Sequence, residues 1–195
     1  LLQADEGMAI RSETLDNSGR LIGLEHLNLE TKTLINRGEL GSMDQVIQGE
    51  RFINQGDIIG ADIQIDTVGF NNEGQMVAET LGLRSDFILN SGGIQVDMAR
   101  IQSDWVQNVG DVAASKQLDL KADTFNNSGL IESAKHQYQS DVFVNSGIVD
   151  GDDISVKSVV LANLGLLSGR DVQLDSELME NQGGIESSRL AIQSE

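Results

Sequence analysis

Carboxylates are the most abundant side chains in this sequence that could carry out chemistry. The 195 residues include 31 Asp and Glu, two His and no Cys, and the formal net charge is −18. Paired carboxylates at a set separation hydrolyse glycosidic bonds, but so many acids supply pairs by chance in any chain. We therefore name no catalytic residue and expect no enzymatic activity, with a polysaccharide-active enzyme as the remote alternative.

A short acidic run, Asp150-Gly151-Asp152-Asp153, resembles a cation-binding loop. A calcium loop supplies about six to eight oxygens in a fixed order, whereas these four residues fall at an ordinary turn between predicted strands. The absence of Cys excludes thiolate metal sites, and two His are too few for a zinc site built on His. We expect no metal ion and no cofactor.

Two aromatic residues are the first candidates for binding. Phe87 and Trp105 occupy equivalent outward positions of two successive repeats, and Leu89 lies close to Phe87. Neighbouring strands would place the two rings ~5 Å apart, and an exposed aromatic patch can mark a carbohydrate or protein contact site. The alternative is that a loop or a partner filament shields the patch.

A second candidate pair is His136 and Tyr138, which stand where other repeats have Ile or Leu. The simpler interpretation is that one repeat adapts its interior or its corner to aromatic rings. The alternative is a ligand role for His136, which would need polar neighbours that the sequence does not clearly supply.

The charge and the hydropathy pattern limit the classes of partner. Nucleic acids and anionic membranes bind clustered Lys and Arg, but this chain has 13 such residues against 31 acids. Its longest apolar runs are three to five residues, far short of the ~20 residues that span a bilayer as a helix. We expect no nucleic-acid partner and no transmembrane segment.

These residues must be positioned by a repeating unit, because the tripeptide Asn-x-Gly occurs ten times. Successive glycines lie 18 or 19 residues apart along the whole chain. The repeat asparagines are Asn17, Asn36, Asn54, Asn72, Asn90, Asn108, Asn127, Asn145, Asn163 and Asn181. The repeat glycines are Gly19, Gly38, Gly56, Gly74, Gly92, Gly110, Gly129, Gly147, Gly165 and Gly183.

Apolar residues keep the same register. Every residue four positions before and two positions after a repeat glycine is apolar, as Phe70 and Met76 are around Gly74. A further apolar pair lies eleven and nine positions before most of these glycines, for example Ile63 and Ile65. Alternation of inward and outward residues within each short segment is the period of a β-strand.

The spacing predicts an all-β, right-handed parallel β-helix of about ten coils, each with 18–19 residues and three short strands. Coils stacked at ~4.8 Å would give a rod roughly 50 Å long, and parallel crossovers favour the right hand. The complete lack of Pro suits a continuous hydrogen-bonded ladder. A left-handed hexapeptide helix is the alternative, but its step of six would turn Gln64 and Arg100 inward.

The repeat residues have a predicted structural role. We expect each repeat glycine at a turn with positive φ, and each repeat asparagine to stack on its copies and hydrogen-bond along the rod. The alternative for the asparagines is a row of sugar or metal ligands. Their presence in all ten repeats favours the structural role.

Segments such as 15–23, Leu-Asp-Asn-Ser-Gly-Arg-Leu-Ile-Gly, and 125–133, Phe-Asn-Asn-Ser-Gly-Leu-Ile-Glu-Ser, resemble the filamentous haemagglutinin repeat. That repeat forms the shaft of exoproteins that Gram-negative bacteria export by two-partner secretion. The resemblance implies an outer-membrane transporter as partner and a location in the medium or on the bacterial surface. It covers both filamentous adhesins and contact-dependent growth inhibition exoproteins, and it does not separate the two.

One departure from the family bears on domain organisation. The amino-terminal secretion domain of the family carries Asn-Pro motifs, and this chain has no Pro. We therefore interpret residues 1–195 as a single β-helix segment from the interior of a longer filament.

The resemblance favours a structural or adhesive shaft that presents an adhesive or toxic module for cell contact. The alternative is that the segment itself binds a host or target-cell receptor or a glycan. Phe87, Leu89 and Trp105 are the main residues that support this alternative.

Overall fold

The computed structural model describes residues 1–194 as a parallel β-helix of about eleven turns. Each strand inside the stack pairs in parallel with its copies one coil earlier and one coil later, as expected from the repeat, and the first and last strands pair on one side. The predicted all-β parallel β-helix is therefore confirmed, while its right-handed sense stays a prediction from strand chirality. Glu195, the last residue of the predicted segment, lies outside the described residues.

The coils of the first half each contain one long and one short strand. The long strands are β2 (Gly7–Asn17), β4 (His26–Asn36), β6 (Asp44–Asn54), β8 (Asp62–Asn72) and β10 (Thr80–Asn90). The short strands are β1 (Leu2–Ala4), β3 (Arg20–Gly23), β5 (Glu39–Gly41), β7 (Asp57–Ile59) and β9 (Gln75–Val77).

In the second half, each coil is nearly one continuous strand. These strands are β11 (Gly93–Asn108), β12 (Asp111–Asn127), β13 (Leu130–Asn145), β14 (Ile148–Asn163), β15 (Leu166–Asn181) and β16 (Gly184–Ser194). Residues 1–194 contain no helix with the length and hydropathy needed to cross a bilayer.

The three predicted segments of a coil exist as three runs of inward side chains, but the corners do not all interrupt the ladder. In β8 the side chains of Ile63, Ile65 and Thr67 point inward, and the next inward residue is Phe70 rather than residue 69. The strand therefore turns a corner at Val68 and Gly69 while its backbone continues to pair. The residues at which a strand begins and ends are therefore not the residues at which a face of the rod begins and ends.

The interior is a set of stacked apolar columns. Phe52, Ile58, Ile63 and Phe70 are each at most 2% exposed, and the rings of Phe52 and Phe70 lie 5.2 Å apart between adjacent coils. The extra residue of one 19-residue coil forms a bulge, since the register shifts between Val96 and Met98 opposite Ala114 and Gln117. The bulge lies within strand β12, between Ala114 and the next inward pair, Leu118 and Leu120.

Two features of the interior were not anticipated. Gln45 occupies an apolar column, is 1% exposed, and donates from Nε2 to the Ile59 carbonyl over 2.6 Å. Seven positions before the repeat glycine, eight of the ten repeats carry Ser or Thr. The hydroxyl of one of them, Ser85, lies 3.0 Å from the carbonyl oxygens of Val68 and Phe87 and holds the corner between two coils.

Candidate functional site

The repeat asparagines form one unbroken ladder of amides through the interior edge of the rod. Each Nδ2 donates to the Oδ1 of the repeat asparagine in the next coil, from Asn17 to Asn181, over nine links of 2.7–2.9 Å. The in-register stacking of identical residues produces this geometry, because one strand spacing brings donor and acceptor together.

The same amides also satisfy the backbone at the turn. The side-chain Nδ2 of Asn108 donates to the backbone carbonyl of Gly110 over 2.9 Å. The backbone carbonyl of Asn17 accepts from the backbone amides of both Arg37 and Gly38. Asn108 is 2% exposed, and the amide groups of the ladder are enclosed until the exposed Asn181. These buried amides hydrogen-bond to one another and to the backbone of the turn, as expected for the predicted structural role.

The repeat glycines do not adopt the predicted positive φ, since no glycine of residues 1–194 has one. That expectation was wrong, and steric contact between coils explains the glycine instead. A Cβ on Gly110 would lie 2.1 Å from the carbonyl oxygen of Gly92, and the same collision recurs at every repeat glycine from Gly38 onward. Gly19 differs, because its nearest such atom is 3.8 Å away.

Phe87, Leu89 and Trp105 form an exposed patch on one face of the rod. Phe87 is 58% exposed and pairs directly with the half-buried Trp105 of the next coil. Gly69 precedes Phe87 in the same column, and a Cβ on it would meet nothing closer than 4.0 Å. The missing side chain leaves a groove of about 340 Å³ between Arg51 and the two aromatic residues.

The corner hydroxyls fix the backbone that carries these aromatic side chains. Ser103 Oγ lies 2.9 Å from the Trp105 carbonyl oxygen and accepts from the Trp105 amide over 3.2 Å. Ser85 makes the equivalent contact to Phe87. The Ser and Thr column missed by the sequence reasoning could have been found, because it keeps the same period as the asparagines.

His136 and Tyr138 lie inside the rod, at 0% and 3% exposure. His136 Nε2 is 2.8 Å from the Asp150 carbonyl oxygen, which can only accept, so this nitrogen carries the proton. The Tyr138 hydroxyl therefore donates to Nδ1 over 2.9 Å. The structure separates this pair from the Phe87 patch and from solvent, and neither residue can contact a ligand on the surface.

Burial sets the titration of this internal pair. It lowers the pKa of His136, more strongly than the hydrogen bond to the Asp150 carbonyl raises it, and it raises the pKa of Tyr138 far above its ordinary range. The Tyr138 ring stacks on Phe125 at 5.4 Å and meets Phe143 edge-on at 5.3 Å. The pair is thus a neutral part of an aromatic core.

The acidic run at 150–153 belongs to strand β14, not to a separate turn as predicted. Asp153 Oδ1 accepts from Arg170 over 3.1 Å, and a Cβ on Gly151 would lie 2.5 Å from His136 Nε2. Gly151 therefore leaves room for the imidazole to reach the Asp150 carbonyl. Within residues 1–194, no three acidic or histidine side chains are grouped so that they could hold a metal ion.

Comparison of the chain with protein-family models, with curated proteins and with solved structures gives no significant match.

Proposed function

We propose that this chain is a rigid shaft in a large exoprotein that bacteria secrete to their surface, where it presents an adhesive or toxic module for cell contact. The observation that supports the proposal is the unbroken amide ladder through ten consecutive repeats. Together with the stacked core it makes one continuous elongated element. Residues shared by all ten coils serve this scaffold.

The secretion route rests on the resemblance of the Asn-Ser-Gly repeats to the filamentous haemagglutinin repeat. Export by two-partner secretion requires an outer-membrane transporter, which we propose as the partner of the full-length exoprotein. The acidic surface and the absence of Cys suit passage through such a pore.

The location can be tested in the bacterium that makes the protein. An antibody against this chain should label the surface of intact cells, and deletion of the transporter should leave the protein in the periplasm. Detection only in the cytoplasm of the wild-type strain would contradict the proposal. An unrelated periplasmic protein serves as the fractionation control.

A second candidate function is recognition of a receptor or glycan by the segment itself. The exposed Phe87, the half-buried Trp105 and the groove over Gly69 favour it. The test compares binding of the purified chain and of Trp105→Ala to target cells and to a glycan array. Binding that is lost in the variant would support the second function, and an absence of binding by both proteins would leave the passive shaft.

A further inference from the structure

One flank of the rod carries almost no charge over five consecutive coils. The outward positions concerned lie five, three and one residue before the repeat glycine and one residue after it. The set runs from Phe87, Leu89, Ser91 and Gly93 in the first of these coils to Val160, Ala162, Leu164 and Leu166 in the fifth. Of these twenty residues only Asp111 is charged. We call this surface the uncharged flank.

The depletion of charge is local. On the neighbouring face, the outward positions twelve, ten, eight and six residues before the same glycines include eleven charged residues out of twenty. In the first four coils, the positions equivalent to the uncharged flank include seven charged residues out of sixteen. Since 44 of the 195 residues are charged, 13 basic and 31 acidic, twenty positions of average composition would carry four or five charges, and the flank carries one.

The uncharged flank is also apolar and open to solvent. Twelve of its twenty residues are apolar, and Phe87, Val109, Ile148 and Leu164 are 58%, 48%, 43% and 49% exposed. Loss of charge together with gain of aromatic and aliphatic residues distinguishes the centre of a protein interface from the rest of a surface. A contiguous patch of this kind marks a contact site more than scattered single residues do.

We propose that the uncharged flank is a lateral contact between two copies of this chain. At a net charge of −18, two copies repel each other wherever their acidic faces meet. The uncharged flank is the surface on which two copies can approach without opposing like charges, and the partner must present a neutral, apolar surface in return. The same flank of a second copy supplies that surface, as in a two-fold symmetric dimer.

The size of the flank predicts a weak contact. Five coils at ~4.8 Å and six residue steps of ~3.3 Å enclose at most roughly 500 Å², because the chain bends at each repeat glycine. A stable interface buries ~800 Å² on each partner. Association should therefore depend on protein concentration, and it should strengthen with salt, because the screening length falls from ~10 Å at ~0.1 M to ~3 Å at ~1 M.

Sedimentation equilibrium of the purified chain at low and high salt tests the proposal. We expect a monomer–dimer equilibrium that shifts toward dimer at high salt. Val160→Glu, which places a like charge in the contact, should weaken the dimer by about tenfold or more. The matched control is Val46→Glu, since Val46 is 38% exposed and lies on the charge-rich face of an earlier coil.

Thermal unfolding of both variants shows whether each is folded before its association is compared. A chain that stays monomeric at every concentration in high salt overturns the proposal. So does a folded Val160→Glu variant that dimerises as well as Val46→Glu. The contact concerns the surface of the purified chain, so its outcome is independent of the export experiment.

Discussion

At the scale of single residues, the side-chain amide of each repeat asparagine from Asn36 to Asn163 hydrogen-bonds to the coils on both sides of it. Asn108 accepts from Asn90 Nδ2 over 2.7 Å and donates to Asn127 Oδ1 over 2.9 Å. Its removal leaves one N–H of Asn90 Nδ2 buried without a partner, and Asn127 Oδ1 then accepts only from the Gly129 amide. Each orphaned group costs about 1–3 kcal/mol, so the middle of the ladder is the place where a single amide matters most.

We expect Asn108→Ala to lower the free energy of unfolding by about 2–4 kcal/mol. Asn181→Ala is the matched control, because Asn181 is exposed and ends the ladder, and its loss should cost less than ~1 kcal/mol. Urea unfolding of both variants measures the difference. Equal losses at the two positions would show that the ladder does not stabilise the rod.

The repeat glycines exclude a side chain because of the coil beneath them. Gly110→Ala would place Cβ 2.1 Å from the Gly92 carbonyl oxygen, so the two coils must separate. We expect a loss of at least ~3 kcal/mol, within the range of severe backbone and packing defects. Gly19→Ala, whose Cβ is free of such contact, should change stability by less than ~1 kcal/mol. Thermal unfolding of both variants compares them, and a stable Gly110→Ala chain would refute the steric explanation.

The buried His136 predicts a specific dependence of stability on pH. Burial lowers the pKa of His136 in the folded chain, so below the ordinary value of ~6.5 the unfolded chain binds a proton that the folded chain does not. The free energy of unfolding should therefore fall as pH decreases through that value toward the lower folded pKa. The His136→Gln variant has no histidine at this position, so its free energy of unfolding lacks this pH-dependent contribution.

Denaturant unfolding of the wild type and of His136→Gln between pH ~7 and ~5 isolates the contribution of this histidine. The wild type should lose more stability than the variant over that interval, since the carboxylates are common to both proteins. Parallel curves would show that His136 is not held neutral in the folded rod.

At the scale of the secondary structure, one coil is the unit that can be gained or lost. Strands β8, β10 and β11 pair residue for residue across one repeat, so a whole coil can be removed while every inward column remains in register. Half a coil cannot be removed in this way, because a shift by an odd number of residues turns inward side chains outward.

We expect deletion of residues 75–92, which spans one repeat of 18 residues, to leave a folded rod shorter by ~4.8 Å. Deletion of residues 75–83, nine residues, should abolish the cooperative transition. Circular dichroism and small-angle scattering distinguish the two outcomes. Unfolding of the full-repeat deletion would mean that coils are not interchangeable.

At the scale of the whole molecule, stability is shared between neighbouring coils and falls at the two ends. In strand β16 every inward position except Ile185 is exposed, and this strand pairs on one side only, with β15. In a solenoid each coil is stabilised by its neighbours. Hydrogen exchange should therefore be fastest in β2 and β16 and slowest in β12 and β13. Uniform exchange along the rod would instead indicate that it opens as one unit.

Much of the fold can be predicted from the sequence, because a parallel solenoid repeats its own environment. The same 18-residue spacing that defines Phe70 and Met76 as apolar also places their copies directly above them. A pattern of apolar residues does not predict Gln45 or the corner hydroxyls, although the hydroxyls have the same period. The burial of Gln45 and of Ser85 depends on backbone partners, the Ile59 and Val68 carbonyls, which residue type does not reveal.

For the candidate sites, the sequence by itself determined that Phe87 and Trp105 are neighbours and that the asparagines form a column, since one period fixes both. The tertiary structure decided which side chains are buried and which atoms of neighbouring coils come into contact, since the period does not determine either. It placed His136 and Tyr138 inside, where an imidazole meets the Asp150 carbonyl from the next coil. It also showed that the repeat glycine is required by contact between coils rather than by its own φ, because distances between stacked backbones arise only when the coils are packed together.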